Sequence, residues 1–303
     1  MDSLKTQIDQ QLRYNSTKNL FCIESQSRLG FSSATVSYIK EHFAALINLS
    51  KQEEEVLVDY LADKALESLC RVNQFYYFSS SDRLALKGIY VEMLAAIMQL
   101  PARAIANGLA DIAKQHYQAL QAWVKRSNPF AKTLYASTEP YLEQEVVCGE
   151  YAARTQLQLL AIDIHTLQEP VLDLGCGQQA YLVKHLKAAG LEAFGVDRLA
   201  TATNYLHKAD WFEFDLSGRS WGTIISNIGF SNHFLHHHLR VDGDYTRYAL
   251  RYMEILRSLK VGGAFYYAPD LPFIEQYLDP AKFRISKTAV AGTAHWATKV
   301  VKL

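Results

Sequence analysis

Apolar positions in the first 130 residues recur at helical spacing. Val36, Ile39, Phe43 and Ile47 put one apolar face on a helix over residues 33–49. Ser50 followed by Glu53 has the form of a capping box and opens a helix running to about Cys70. Leu86, Ile89, Tyr90, Met93 and Ile97 share one side of a helix over 82–99. Pro101 sits where the next helix starts, with Ile105, Leu109 and Ile112 on its face, and a further helix covers 114–125 before Asn128-Pro129 breaks the pattern. Residues 1–130 are therefore expected to form an all-helical N-terminal domain or a large helical cap. Within it, the aromatic cluster of residues 73–78 either walls a pocket or ends a helix packed into the core, and the packed core is the favoured reading.

The period changes near Pro170. Residues 171–174 are an apolar run of strand length, broken by Gly175 and Gly177; Leu182, Leu186 and Ala189 then share a helix face that ends at Gly190. A second apolar run, 193–196, stops at Asp197, which completes a strand–turn–helix–strand unit with parallel strands. The alternation continues with a short strand over 211–214 ending at Asp215, a strand over 223–228 and an amphipathic helix over 244–259. A strand over 264–268 and two candidate strands, 283–290 and 296–303, complete it. The linker of about seven residues after the third strand is too short for a crossover helix. The expected fold of residues 131–303 is α/β, a doubly wound Rossmann-like sheet. Such sheets bind ligands beyond the carboxyl ends of their strands, where Asp173, Asp197, Asp215, Asn227 and Asp270 fall.

Two glycines at the first turn let a ligand approach the backbone, and an acid about 20 residues further on suits a ribose diol, so the site is built for a nucleoside-containing cofactor. A dinucleotide fingerprint needs a third small residue, a place Ala180 can fill. Asp173 argues against that reading, because a carboxylate two residues before the first glycine repels a pyrophosphate. The run Val171-Leu172-Asp173-Leu174-Gly175-Cys176-Gly177 resembles the first motif of class I S-adenosylmethionine (SAM)-dependent methyltransferases. Leu259-Lys260-Val261-Gly262-Gly263 resembles that family's late L-K-P-G-G motif, with Val261 in place of proline. The resemblance covers about residues 145–303 and leaves the N-terminal half untouched.

What the resemblance implies is a SAM site. Asp173 pairs with the cationic amino-acid end, Gly175, Cys176 and Gly177 form the cradle, and Asp197 with Arg198 meets the ribose side. Asp215 and Leu216 receive the adenine, and Asn227 closes the site. A helix upstream of the first strand covers the methionine end in many relatives, which would bring Tyr151 and Arg154 onto the cofactor. Equally, the helix carrying Glu150, Tyr151, Arg154 and Gln156 merely covers the sheet with Leu157, Leu160 and Ile164.

Charge and composition narrow the acceptor. Lys+Arg and Asp+Glu both total 31, and no basic run is present, which disfavours a nucleic-acid partner. The strand-end sequence from Asn227 to Phe230 has no proline, unlike the N-P-P-F/Y motif of nucleobase amino methyltransferases, and no paired-glutamate loop of protein arginine methylation is found. Cys22, Cys70, Cys148 and Cys176 lie far apart, which argues against a zinc site or disulfide framework and for a reducing compartment, the cytoplasm. The N-terminal stretch lacks the apolar segment of a signal peptide. The most apolar region, 90–109, is interrupted by Glu92, Pro101 and Arg103 and is read as buried helix, not a membrane span.

Methyl transfer is an in-line displacement that needs positioning and exclusion of water, with a general base only where the acceptor atom carries a proton to be lost. His233 is the first candidate base and His236 the second; His237 and His238 follow them. No metal is expected, since adjacent histidines on a helix point apart and His233-x-x-His236 lacks a local carboxylate partner. The reading is methyl transfer from SAM to an O, N or C atom of a small molecule enclosed between the helical domain and the SAM site. Aminocarboxypropyl transfer from SAM and non-catalytic SAM binding are the alternatives.

Overall fold

Paired side-chain and backbone hydrogen bonds begin two of the long helices. The computed structural model describes residues 2–16, 18–21, 29–73, 75–101, 104–129, 131, 151–241, 243–290 and 296–303; Cys22, Arg103, Cys148 and Glu150 lie outside them. Helices α1 (Asp2–Asn15), α2 (Ser33–Glu41), α3 (Phe43–Leu46), α4 (Lys51–Val72), α5 (Ser80–Met98) and α6 (Ile105–Ser127) follow in order. Ser50 and Glu53 form the expected capping box of α4, and Ser79 with Asp82 forms another on α5.

Two helical expectations are corrected. The helix over 33–49 is broken at His42, whose backbone N–H and ring Nδ1 both lie 3.0 Å from the Tyr38 carbonyl. Residues 105–127 form one helix, not two, because buried positions continue through Ile112, Ala113, Trp123 and Val124 without a break. The aromatic cluster belongs to the core: Tyr76 and Phe78 are buried, and Phe78 stacks on Trp123 with centroids 4.6 Å apart. Asn128 pairs with the backbone of Tyr77 through both its amide oxygen and nitrogen, satisfying both backbone groups of that residue.

The chain divides into two compact units, Met1–Cys148 and Gly149–Leu303. The described part of the first contains helices; the second holds a seven-stranded sheet. Its elements are α7 (Ala153–Leu159), β1 (Val171–Leu174), α8 (Tyr181–Ala188), β2 (Ala193–Asp197), β3 (Leu206–Lys208), β4 (Trp221–Asn227), α9 (Phe230–Leu239), α10 (Tyr245–Ser258), β5 (Leu259–Ala268), α11 (Pro272–Glu275), β6 (Phe283–Ala289) and β7 (Trp296–Lys302). The strand order is β3-β2-β1-β4-β5-β7-β6. The first five strands are parallel, and β7 runs antiparallel to both β5 and β6, so the expected closing hairpin is present. This is the doubly wound Rossmann-like sheet, and its order reverses between β1 and β4, where ligands bind in such sheets.

Burial follows position in the sheet. Val171, Leu172 and Leu174 of β1 and Ile224 and Ile225 of β4 are fully buried, as expected of central parallel strands covered on both faces. On one face α9 and α10 contribute Phe230, Phe234, Tyr248, Tyr252 and Ile255; on the other α8 contributes Leu182, Val183 and Leu186. Gly195 of β2 makes that second packing possible, since a Cβ there would meet Cys176 Sγ at 2.8 Å and Val183 at 2.9 Å.

The third strand is the main correction. Residues 211–214 form turns, and β3 is Leu206–Lys208. The apolar side chains taken for a strand are anchored singly. Phe212 lies edge-on to Tyr248 at 4.8 Å, and Phe214 lies 5.2 Å from His207. Residues 209–220, which link β3 to β4, hold no helix, in keeping with the expected missing crossover.

Candidate functional site

The glycine turn after β1 is locked to the end of β2. The Gly175 and Cys176 amides donate to the Val196 carbonyl at 2.8 and 3.1 Å, and the Gly177 amide donates to Asp197 Oδ2 at 3.0 Å. The other carboxylate oxygen of Asp197 accepts from the Leu199 amide at 2.7 Å. Gly175 (φ +91°) and Gly177 (φ +73°) occupy left-handed backbone that L side chains adopt at a cost. A Cβ on Gly175 would lie 3.4 Å from the Trp211 ring. Cys176 contributes backbone only, because its buried thiol faces Gly195.

Asp173 sits inside β1, opposite Gly195 of β2 and Ile225 of β4. It is 2% exposed, and its Oδ2 has no hydrogen-bond partner among the described residues. Burial, reinforced by the nearby charge of Asp197, raises its pKa to about 8. An acid placed this way is deficient in one thing, a positive partner. Two further orphaned atoms belong to the same region, Asn227 Oδ1 at the tip of β4 and Trp211 Nε1 in the turn. The Trp211 ring lies against the backbone of Gly175 and of Gly229, so all three orphans cluster around the switch point of the sheet.

The tip of β4 is held under strain. Ile228 has φ +53°, an outlier for a β-branched residue, and its amide donates to the Ala268 carbonyl at 3.0 Å. Ser226 Oγ bridges the strands by donating to the Leu174 carbonyl at 2.8 Å and accepting from the Phe230 amide at 2.9 Å. That bridge fixes the start of α9, the helix that carries the histidines.

The four histidines of α9 have separate environments. His233 is 4% exposed and lies edge-on to Trp211 at 4.8 Å. Burial, with Arg198, His237 and His236 nearby, lowers its pKa well below 6.5, so it is neutral at pH 7. His236 Nε2 lies 3.3 Å from Arg240, His237 accepts from the Asp244 amide and stacks on Tyr248, and His238 stacks on Phe273 at 3.6 Å. Among the described residues no cluster of three metal-ligating side chains occurs.

The remaining expected residues are scattered. Tyr151 and Arg154 are exposed before and on α7, whose Leu157 and Leu159 pack against the apolar cluster that includes Leu160, Val183 and Leu186. Asp215 is exposed and committed to a turn, accepting from the Ser217 amide at 2.8 Å and its hydroxyl at 2.7 Å, bonds that lower its pKa. Leu216 is buried in the core under α10.

Two residues beyond the end of β3 lies Asp210, which the sequence reading missed. It is 7% exposed, and burial raises its pKa although Oδ1 accepts from the Phe212 amide at 2.9 Å and Arg198 lies close enough to oppose the shift. The missed signal was small: β3 has three residues of mixed polarity beside an aromatic run that imitates a strand. The charge of Arg198 acts on Asp210, His233 and Tyr248, favouring the ionised carboxyl and phenol and the neutral imidazole.

No protein-family model and no curated protein matches the chain. Solved structures with a similar arrangement include the N-methyltransferase NodS from Bradyrhizobium japonicum with S-adenosylhomocysteine (13% identity, 49% of this chain and 86% of that one, TM-score 0.38). The sugar N-methyltransferase KedS8 from Streptoalloteichus is another (23% identity, 49% and 57%, TM-score 0.28). A third is an rRNA methylase from Streptococcus thermophilus (15% identity, 50% and 95%, TM-score 0.32). Likenesses this distant assign neither cofactor nor acceptor to this chain.

Proposed function

We propose that this protein is a SAM-dependent methyltransferase acting on a small-molecule acceptor. The observation that carries the reading is the unpartnered, buried carboxyl of Asp173 beside a glycine turn tied to Asp197. SAM fits that deficit: its amino-acid end brings a cation to Asp173, and its ribose brings hydroxyls to the Asp197 carboxylate. Gly175, Cys176 and Gly177 provide backbone that a ligand can approach, and Asp210 takes the strand-end place first given to Asp215. SAM, when bound, supplies an electrophilic methyl group on a sulfonium whose departing sulfide needs no proton.

The chain's own work is then to hold the acceptor in line and keep water out. Asn227, Ile228 and Gly229 form the tip facing that position, and the unpartnered Asn227 Oδ1 is suited to accept from an acceptor hydroxyl or amine. His233 is already in its proton-accepting form at neutral pH, which supports it as the base to test first, with His236 second. The balance of 31 basic and 31 acidic residues supports a small acceptor over a nucleic acid. The wide separation of the four cysteines along the chain supports a cytoplasmic setting.

Incubation with SAM and a panel of hydroxyl, amine and activated-carbon small molecules tests the reading. Acceptor-dependent S-adenosylhomocysteine is the expected product. Methylthioadenosine in its place would show aminocarboxypropyl transfer and replace the proposal.

A further inference from the structure

The helical unit has two cores with a void at the seam. One core contains Ile8, Leu57, Leu61 and Tyr90; the other contains Ile39, Leu46 and Ile97. A cavity of about 100 Å³ is lined by these same residues from both cores, together with Met93 and the rings of His116 and Tyr117. A second cavity of about 120 Å³ shares Leu12, Tyr90, His116 and Tyr117 as its wall. Side chains facing a void lose contacts that native packing normally supplies, so an occupant would restore them.

The other polar side chains at the first cavity, Gln7, Gln11, Thr35 and Tyr38, are hydrogen-bonded to neighbouring groups, and the shared wall differs from them. His116 is 7% exposed, and its Nδ1 is buried without a hydrogen-bond partner among the described residues. Tyr90 is 3% exposed, lies 5.0 Å from the His116 ring, and its hydroxyl has no described partner. By contrast, Tyr117 is engaged by Asn15. No Lys, Arg, Asp or Glu lines the first cavity, and burial keeps both polar groups neutral, lowering the His116 pKa to about 4 and raising that of Tyr90. A charged ligand would enter without a counter-charge and is excluded. A lone water would find few polar groups left unpartnered, since Gln7, Gln11, Thr35 and Tyr38 are already bonded, whereas engineered apolar cavities of about 150 Å³ take up benzene.

We infer that the helical unit contains a binding site for a small, neutral, ring-sized molecule with one hydroxyl, bound in the seam cavity and hydrogen-bonded at the Tyr90–His116 wall. This site is separate in residues from the glycine-turn site and does not depend on the proposed methyl transfer.

The test is titration of the full-length protein with phenol and, in parallel, toluene, followed by calorimetry and thermal unfolding. Phenol is expected to bind saturably and raise the melting temperature, more tightly than toluene. Tyr90→Phe should weaken phenol about five- to tenfold, the worth of a hydrogen bond, and leave toluene unchanged. His116→Leu is the second variant and should act in the same direction. Asp197→Ala should leave phenol binding intact. Absence of saturable phenol binding, or phenol and toluene binding alike in the wild type and in whichever variant folds, would overturn the inference.

Discussion

The Gly177 amide reaches across to Asp197 Oδ2 at 3.0 Å, tying the turn after β1 to the end of β2. One carboxylate therefore holds the shape of the glycine turn and faces the site. The Asp197→Ala variant leaves the Gly177 and Leu199 amides without their acceptor. It should lose about 1–3 kcal/mol of stability as well as SAM affinity. Urea unfolding and calorimetry on the same preparation measure both, and wild-type values in the two assays would contradict this role.

Asp173 gives the unliganded protein a pH dependence of known sign. Its folded pKa, about 8, lies above the ordinary value of 3.8 for a free aspartate. The folded state therefore holds the proton more tightly, and this contribution is complete below about pH 4 and is lost as pH rises through about 8. Stability without SAM should fall between pH 5 and 8, and Asp173→Asn should flatten that slope while weakening SAM binding. Urea midpoints at pH 5, 6.5 and 8 decide it; equal slopes for both proteins would reject the assignment. Arrival of a cation should also expel the Asp173 proton, so the calorimetric heat of SAM binding at pH 7 should change with the ionisation enthalpy of the buffer.

Asp210 and Asp215 differ by burial and by what they hold. Asp210→Ala should weaken S-adenosylhomocysteine binding at least about tenfold, the effect of about 1.4 kcal/mol, whereas Asp215→Ala should stay within about twofold. Parallel titrations of the two variants measure this, and the reverse order would restore Asp215 to the site.

Ile228 stores strain at the tip of β4. Left-handed backbone costs an L residue about 1–2 kcal/mol, and glycine adds about 0.5–1 kcal/mol of chain entropy. Ile228→Gly should therefore leave stability near the wild-type value while lowering acceptor turnover, because the tip is no longer fixed. A loss of stability well above 1 kcal/mol in urea unfolding would show that Ile228 acts through packing instead.

Much of this architecture was legible because the signals were long or punctuated. The capping box at Ser50, the apolar run from Val171 to Leu174 and the amphipathic face from Tyr245 to Ser258 each repeat one physical requirement over several residues. The misreadings were short-range competitions. At His42 the ring nitrogen shares the Tyr38 carbonyl with the backbone N–H where the helix breaks, and at Trp211 and Phe212 aromatic rings pack individually and imitate a strand. β3 itself has too few residues to show a period, so Asp210, two residues beyond it, was invisible while Asp215 was conspicuous. Within the site, the glycines and Asp197 could be read from spacing. The isolation of Asp173 and the unpartnered atoms of Asn227 and Trp211 emerge only when the strands are assembled.

The most direct test of the central claim is calorimetric titration of the purified protein with SAM and, separately, with S-adenosylhomocysteine, in wild type and Asp197→Ala. The account expects saturable binding of both ligands by the wild type, with marked loss in the variant. Well-folded wild-type protein that binds neither ligand, or a variant that binds both as tightly as wild type, would contradict it.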